Sequence, residues 1–212
     1  KYVKQTLFLE NDELWKILVY GGYWDFKLIK NVRKNFSTIK DVASQNNLIM
    51  KKGLQDNDGD KKDSSNLVGR KILDSEEALD HFYLNESAYT IFNKDKIHRP
   101  RNPEIYKAPY VLFKKGLDCA DYSIRAVYTE SDFLYRETIN CIKGSEKDKK
   151  TLLNLCGLLN SSLFSYFNLM LGSSTGIERE QIFLEELGNY PYVYNDELVE
   201  LVEKMQREEW GK

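Results

Sequence analysis

From Leu152 to Met170 the residues Leu152, Leu155, Cys156, Leu159, Leu163, Tyr166, Phe167 and Met170 recur at steps of three and four. Only an α-helix returns side chains to one face at that spacing, so this stretch must bury a long helical stripe against something. Ser145-Glu146-Lys147-Asp148 stands ahead of the run with the Ser-x-x-acid spacing of a capping box, which satisfies orphan amide donors of a first turn. The pattern predicts a single helix over 145–171, about 26 residues and about 40 Å long. Thr175-Gly176-Ile177-Glu178 repeats the capping-box spacing and predicts a shorter helix that stops before Pro191. Asn195 is placed to cap a last helix with Leu198, Leu201, Val202 and Met205 on its buried face.

The N-terminal end is helical too. Asn11 can cap a turn beginning Asp12-Glu13, with Leu14, Ile17 and Leu18 on one face, and Gly21-Gly22 ends it. A second helix from Trp24 would turn Phe26, Ile29 and Phe36 inward and Lys27, Lys30, Arg33 and Lys34 outward. Thr38 and Asp41 form another capping-box pair.

Between these ends the period shortens. Runs at 48–50, 70–73, 81–84, 88–92, 110–114, 122–128 and 133–142 read as short strands. No helix of crossover length separates them, so they predict a twisted, mostly antiparallel sheet. Residues 56–66 form a polar, Gly- and Asp-rich loop, mobile or ordered by a partner. The expected fold class is α+β: N-terminal helices, a central sheet, and a long C-terminal helix with two shorter helices. The divisions are a helical lead-in over 1–45, a β-rich region over 46–144 and a helical region over 145–212, within one compact domain.

Charge is distributed unevenly along this frame. The 212 residues carry 31 Lys+Arg against 33 Asp+Glu, a net charge of −2. Residues 1–53 hold +5 and 94–125 hold +4, whereas 54–93 hold −5 and 175–212 hold −6. The basic segments are candidates for meeting an anionic partner, and the acidic end reads as solvated helix surface. No window supplies the roughly 18 consecutive apolar residues of a spanning helix, and no signal-peptide order opens the chain, so a cytoplasmic location without a membrane partner is expected. The start at Lys1 rather than Met is read as a cut from a longer polypeptide.

Several chemistries are missing. There is no Gly-rich phosphate loop and no G-x-S-x-G elbow. Cys119, Cys141 and Cys156 lack C-x-x-C spacing and read as reduced thiols, while His81 and His98 are too scattered for a His-based metal site. Asp58-Gly59-Asp60 pairs two carboxylates without the remaining oxygen ligands of a cation loop. No catalytic or metal residue is expected.

Five segments carry a resemblance. Leu152 to Phe167, containing Leu159-Asn160-Ser161-Ser162-Leu163, is similar to the LNS helix of the target recognition domains of amino-adenine DNA methyltransferases. Tyr106 to Lys114 resembles that family's aromatic-x-x-Pro-aliphatic strand, Phe133 to Ile139 its Phe-Arg strand, and Gly53-Leu54-Gln55 its Gly-aliphatic-Gln turn. Ile177 to Glu180, followed by Pro191, looks like its closing helix and proline. The set spans about residues 12–192 and is most similar to the TaqI-like C-terminal specificity domain. The resemblance implies a non-catalytic reader of double-stranded DNA. Its parent would be a site-specific adenine methyltransferase or restriction-modification enzyme, whose N-terminal methyltransferase domain binds S-adenosylmethionine. No cofactor is implied for this stretch. Asn189-Tyr190-Pro191-Tyr192 echoes a catalytic tetrad but follows a helix, and reads as a helix stop and packing element.

A DNA reader needs cations for phosphates and forked polar groups for base edges. Lys51 and Lys52, with Gln55 and Asn57, flank the Gly53 turn. Arg99, Arg101 and Lys107 lie on a Pro-punctuated loop, and Lys114 and Lys115 end a strand. These nine are the candidate DNA-binding residues, whereas Tyr106, Tyr110 and Phe113 are expected in the core. The alternative is an assembly module that docks a partner subunit through its long helix.

Overall fold

The computed structural model describes residues 3–57 and 59–207. Four helices lead, α1 (Gln5–Glu10), α2 (Leu14–Tyr20), α3 (Tyr23–Asn35) and α4 (Ile39–Gln45). Eleven strands follow: β1 (Ile49–Lys52), β2 (Lys62–Asp63), β3 (Lys71–Leu73), β4 (Leu79–Asp80), β5 (Tyr83–Leu84), β6 (Tyr89–Ile91), β7 (Lys96–Ile97), β8 (Tyr110–Lys114), β9 (Ala126–Thr129), β10 (Leu134–Tyr135) and β11 (Ile139–Lys143). Helices α5 (Lys149–Leu159), α6 (Ser162–Leu171), α7 (Leu184–Leu187) and α8 (Asp196–Arg207) close the chain. This is the expected α+β class.

One four-stranded antiparallel sheet, in the order β1-β11-β8-β9, divides the interior. Successive side chains alternate across it, so each cross-strand row belongs wholly to one face. Met50, Ile142, Val111 and Tyr128 form one row, and Lys52, Asn140, Phe113 and Ala126 the next but one; both face the helices. The row between them carries Cys141, Leu112 and Val127, and the row beyond Met50 carries Tyr110, into a second core. That core is closed by the three-stranded sheet β10-β3-β6, whose β10–β3 pairing is parallel and β3–β6 pairing antiparallel. Covered on both faces, the central strands β8 and β11 are nearly continuous apolar runs. Tyr106, Tyr110 and Phe113 are fully buried, as expected.

Helix α5 lies between the sheet and α8, and residues 152–159 are all buried. Gly157 permits the approach of α8, because a Cβ there would stand 2.7 Å from Leu198. The predicted single helix over 145–171 is two helices. Asn160 ends α5, and Ser161 is extended and caps α6 by accepting from the Phe164 amide. The break is held by the Asn160 amide, whose Nδ2 donates to the Ala126 and Cys156 carbonyls at 2.8 and 2.9 Å. Its Oδ1 accepts from the Ala126 N–H at 3.0 Å. Local side-chain bonds of this kind compete with helix continuation.

Other expectations change. Helix α1 is an addition, and Asn11 ends it by donating to the Leu7 carbonyl rather than opening α2 through its side chain. Phe36, expected inward, is 44% exposed just past the end of α3. No helix opens at Thr175: Gly176 adopts a left-handed φ of +72°, and the chain then joins β8's exit through Leu117 N–H to Glu180 and Ile182 N–H to Lys115. The short helix is α7. The capping boxes at Thr38 and Ser145 and the Asn195 cap form as predicted. In the loop at 56–66, short pairing of β2 with β7 supplies order, while Asp58 and residues 208–212 lie outside the described residues.

Asn160→Ala strands the buried N–H of Ala126, whose carbonyl keeps the Phe82 N–H. It is expected to cost about 1–3 kcal/mol, read as a lowered denaturation midpoint in urea.

Candidate nucleic-acid interface

The Gly53-Leu54-Gln55 turn follows directly from edge strand β1. Gly53 N–H donates to the Ile139 carbonyl at 3.1 Å, and Leu54 N–H to that of Tyr135 at 2.9 Å. A Cβ on Gly53 would lie 2.1 Å from the Tyr135 oxygen and 2.3 Å from the Arg136 oxygen, so the backbones can meet this closely only at glycine. Beyond the turn, Gln55 and Arg99 exchange both backbone hydrogen bonds, at 3.0 and 2.9 Å. The Pro-punctuated loop is thereby brought beside β1. Arg101 holds a left-handed φ of 66°, and its Nε donates to the Gly53 carbonyl at 3.1 Å. A long side chain in that conformation is strained, and the bond to Gly53 is what it gains there.

The result is a groove of about 420 Å³ lined by Lys51, Lys52, Arg99 and Arg101, with Leu184 and Glu185 of α7 on the facing wall. The Lys52 ammonium also lies 6.0 Å from the Phe183 ring centroid. Gln55 adjoins through its pairing with Arg99. Asn57 follows in the same loop, where its carbonyl accepts from Lys61 at 3.1 Å. The remaining candidates lie elsewhere. Lys107 pairs with Glu104 at 2.7 Å, and Lys114, largely covered, reaches Glu77 at 3.8 Å. Lys115 uses its backbone to join Thr138 and Ile182.

Asp56, not singled out by the sequence, anchors the loop. Its nearly covered carboxylate accepts from Lys94, and lies 3.2 Å from Lys61 and 3.7 Å from Arg136. Arg136 in turn donates Nε and Nη2 to Asp74 at 2.9 and 2.7 Å. The Lys94 bond, then that of Lys61, holds the Asp56 carboxyl below its ordinary range against the opposing effect of burial. The only sequence signal was the Phe-Arg strand containing Arg136.

Directly across from Lys52 is Asn140, fully buried, with no partner for Nδ2 or Oδ1 among the described residues. The described residues contain no group of three or more His, Cys, Asp or Glu able to hold a metal. Cys141 and Cys156 are free and buried, and burial pushes their thiols up to about 11 and about 12. No described helix is long and apolar enough to cross a membrane.

A family model for the TaqI-like C-terminal specificity domain matches residues 70–192. The chain belongs to that family. No curated protein matches it. Within this specificity domain the matched span contains Arg99 and Arg101 but starts after Lys51, Lys52 and Gln55, so the groove is assembled from both sides of that boundary. The LNS motif is the Asn160 lock and the Ser161 cap. Tyr190 of the tetrad-like segment is buried and donates to Asn168 at 2.9 Å, which is a packing role.

Gly53→Ala is expected to destabilise the specificity domain by about 1–3 kcal/mol or more through overpacking, measured by denaturant titration. Asp56 has a lowered folded pKa, so its stabilisation is complete above the unfolded value of about 3.9 and is lost as pH falls through the folded one. Acidification from pH 5 to 3 should therefore lower the hydrogen-exchange protection of residues 55–57 and 59–64 relative to their intrinsic rates, and Asp56→Asn should lack that protection already at pH 5. Asn140→Leu should raise the denaturation midpoint, because it removes an unpaired buried amide that costs about 1–3 kcal/mol.

Proposed function

We propose that this chain is the sequence-specific DNA target-recognition module of an adenine-specific DNA methyltransferase or restriction-modification enzyme. A separate methyltransferase domain of the parent binds S-adenosylmethionine and performs the transfer. The carrying observation is the convergence of Lys51, Lys52, Arg99 and Arg101 on one groove beside Gln55, in a member of a specificity-domain family. Four cations facing one carboxylate favour a polyanion.

Lys51 and Lys52 take phosphates. Arg99 and Arg101 offer forks that match the guanine edge, and Gln55 and Asn57 amides that match adenine. Arg99 is held by backbone pairing with Gln55 and Arg101 by its Nε bond to the Gly53 carbonyl, and such support is what base readout requires. Lys107 adds exposed positive charge at a distance, whereas Lys114 and Lys115 contribute to the field at the end of β8. The alternative of docking through the long helix loses the α5 part of its surface, since α5 is covered by the sheet and α8. Exposed Trp15 and Val19 on α2 and Trp24 and Leu28 on α3 instead form the face we assign to the parent's methyltransferase domain.

Binding to a randomised duplex pool at several salt concentrations tests the assignment. Lys52→Ala should weaken all sequences alike and lower the salt slope by about one. Arg99→Ala should relax preference at one position by about 1–3 kcal/mol. Arg101→Gly should also lose discrimination while stability stays within about 1 kcal/mol, since released strain offsets the lost bond to Gly53. Unchanged sequence preference in both arginine variants would sink the site assignment.

A further inference from the structure

A cavity of about 660 Å³ opens beside β9, the edge strand opposite β1. It is framed by the β4–β5 turn, the loop before β9, the α5–α6 break and α8. Its chemistry is set by Asn160. Because the Asn160 Nδ2 donates to two carbonyls and its Oδ1 accepts from a backbone N–H, the amide cannot be flipped. His81 Nδ1, 2.8 Å from that Oδ1, must therefore be the donor. In the neutral ring the proton is on Nδ1, and Nε2 is left as an acceptor, with no partner among the described residues.

The other polar groups agree in sign. Among the described residues Asp121 accepts only the Ser123 N–H, at 2.9 Å, and Asp80 is shared between the His81 N–H and Arg125. Neither Lys nor Arg is among the lining residues. Phe82 and Met205 supply apolar surface, and Phe82 is held at φ 57° with its N–H donating to the Ala126 carbonyl at 2.9 Å. Among the described residues the site thus offers acceptors, the Asp121 carboxylate and an apolar wall, and its nearest cation, Arg125, is paired with Asp80.

We propose that this cavity binds an organic cation, an amine, amidine or guanidinium on an apolar stem. His81 Nε2 and the Asp121 carboxylate take its N–H groups, and Phe82 and Met205 cover the stem. The same chemistry is carried by a free polyamine and by a Lys or Arg side chain of a protein partner. The inference does not rest on DNA recognition, because the groove residues take no part in it.

The test is titration of the full chain with benzamidine, followed by calorimetry and by amide shifts at 80–83 and 121–123. Saturable one-site binding is expected, weakened at least about tenfold in His81→Leu and in Asp121→Asn, as loss of one charge-assisted bond requires, and unchanged in Lys51→Ala. Asp121→Asn keeps the acceptor for Ser123, so it reads the site even if the His81 variant is poorly folded. Spermidine and an arginine-bearing tripeptide are compared next: tighter spermidine binding assigns a free polyamine, and tighter peptide binding assigns a partner side chain. Absence of saturable binding by benzamidine, or equal binding by both variants, would overturn the proposal.

Discussion

The structure turns on the side-chain amide of Asn160. It bonds both polar groups of the Ala126 backbone at the start of β9, ends α5 through Cys156, and orients His81. Four elements thereby acquire fixed positions from one residue. A helix continued through this point would carry Phe164, Phe167 and Met170 away from the main core, which they now join from α6. Ser161 then caps the second helix, so the pair of polar residues that interrupts an apolar run is also what redirects it. Buried polar groups that are fully satisfied specify one arrangement more sharply than apolar contacts do.

Two cores share the main sheet as a common wall, which explains why small changes at its margins matter. Gly53 brings the exit of β1 against the backbone at 135–136, and Gln55 pairs with Arg99 on the same path. The groove side chains are thus attached to backbone that is itself hydrogen-bonded, Lys51 and Lys52 through β11 and Arg99 through Gln55. Reading a base edge requires side chains held by a rigid support, and the strain at Arg101 persists because the Gly53 carbonyl and the surrounding loop over-determine it.

The legible parts of the sequence were those governed by local chemistry. Capping boxes at Thr38 and Ser145, the Asn195 cap and the strand at 110–114 depend on neighbours in sequence, and all form. The helix break at Asn160 was hidden because its decisive partner, Ala126, is distant in sequence. Thr175 to Glu178 carried the right spacing for a cap, yet pairing of 180–182 with 115–117 drew the chain out instead. At the site, the basic residues were visible by type, and the Gly53 turn and Pro-rich loop located most of them. Their sorting was not visible: which lysine meets Glu104 or Glu77, and which lines the groove, is decided by tertiary approach. Asp56 was obscured for the same reason, since its ligands Lys94 and Arg136 come from two other regions.

The small net charge is the outcome of segregation rather than of neutrality. Lys52 and Ala126 belong to one cross-strand row, so the basic groove beside β1 and the acidic cavity beside β9 share one end of the sheet. Three strand spacings, about 14 Å, separate those strands. A polyanion approaching this end is attracted on one edge and repelled on the other. A uniformly basic surface of the same fold would attract more strongly and orient less. Opposed charge at the two edges therefore gives an anionic partner a preferred direction of approach, which a uniform surface would not.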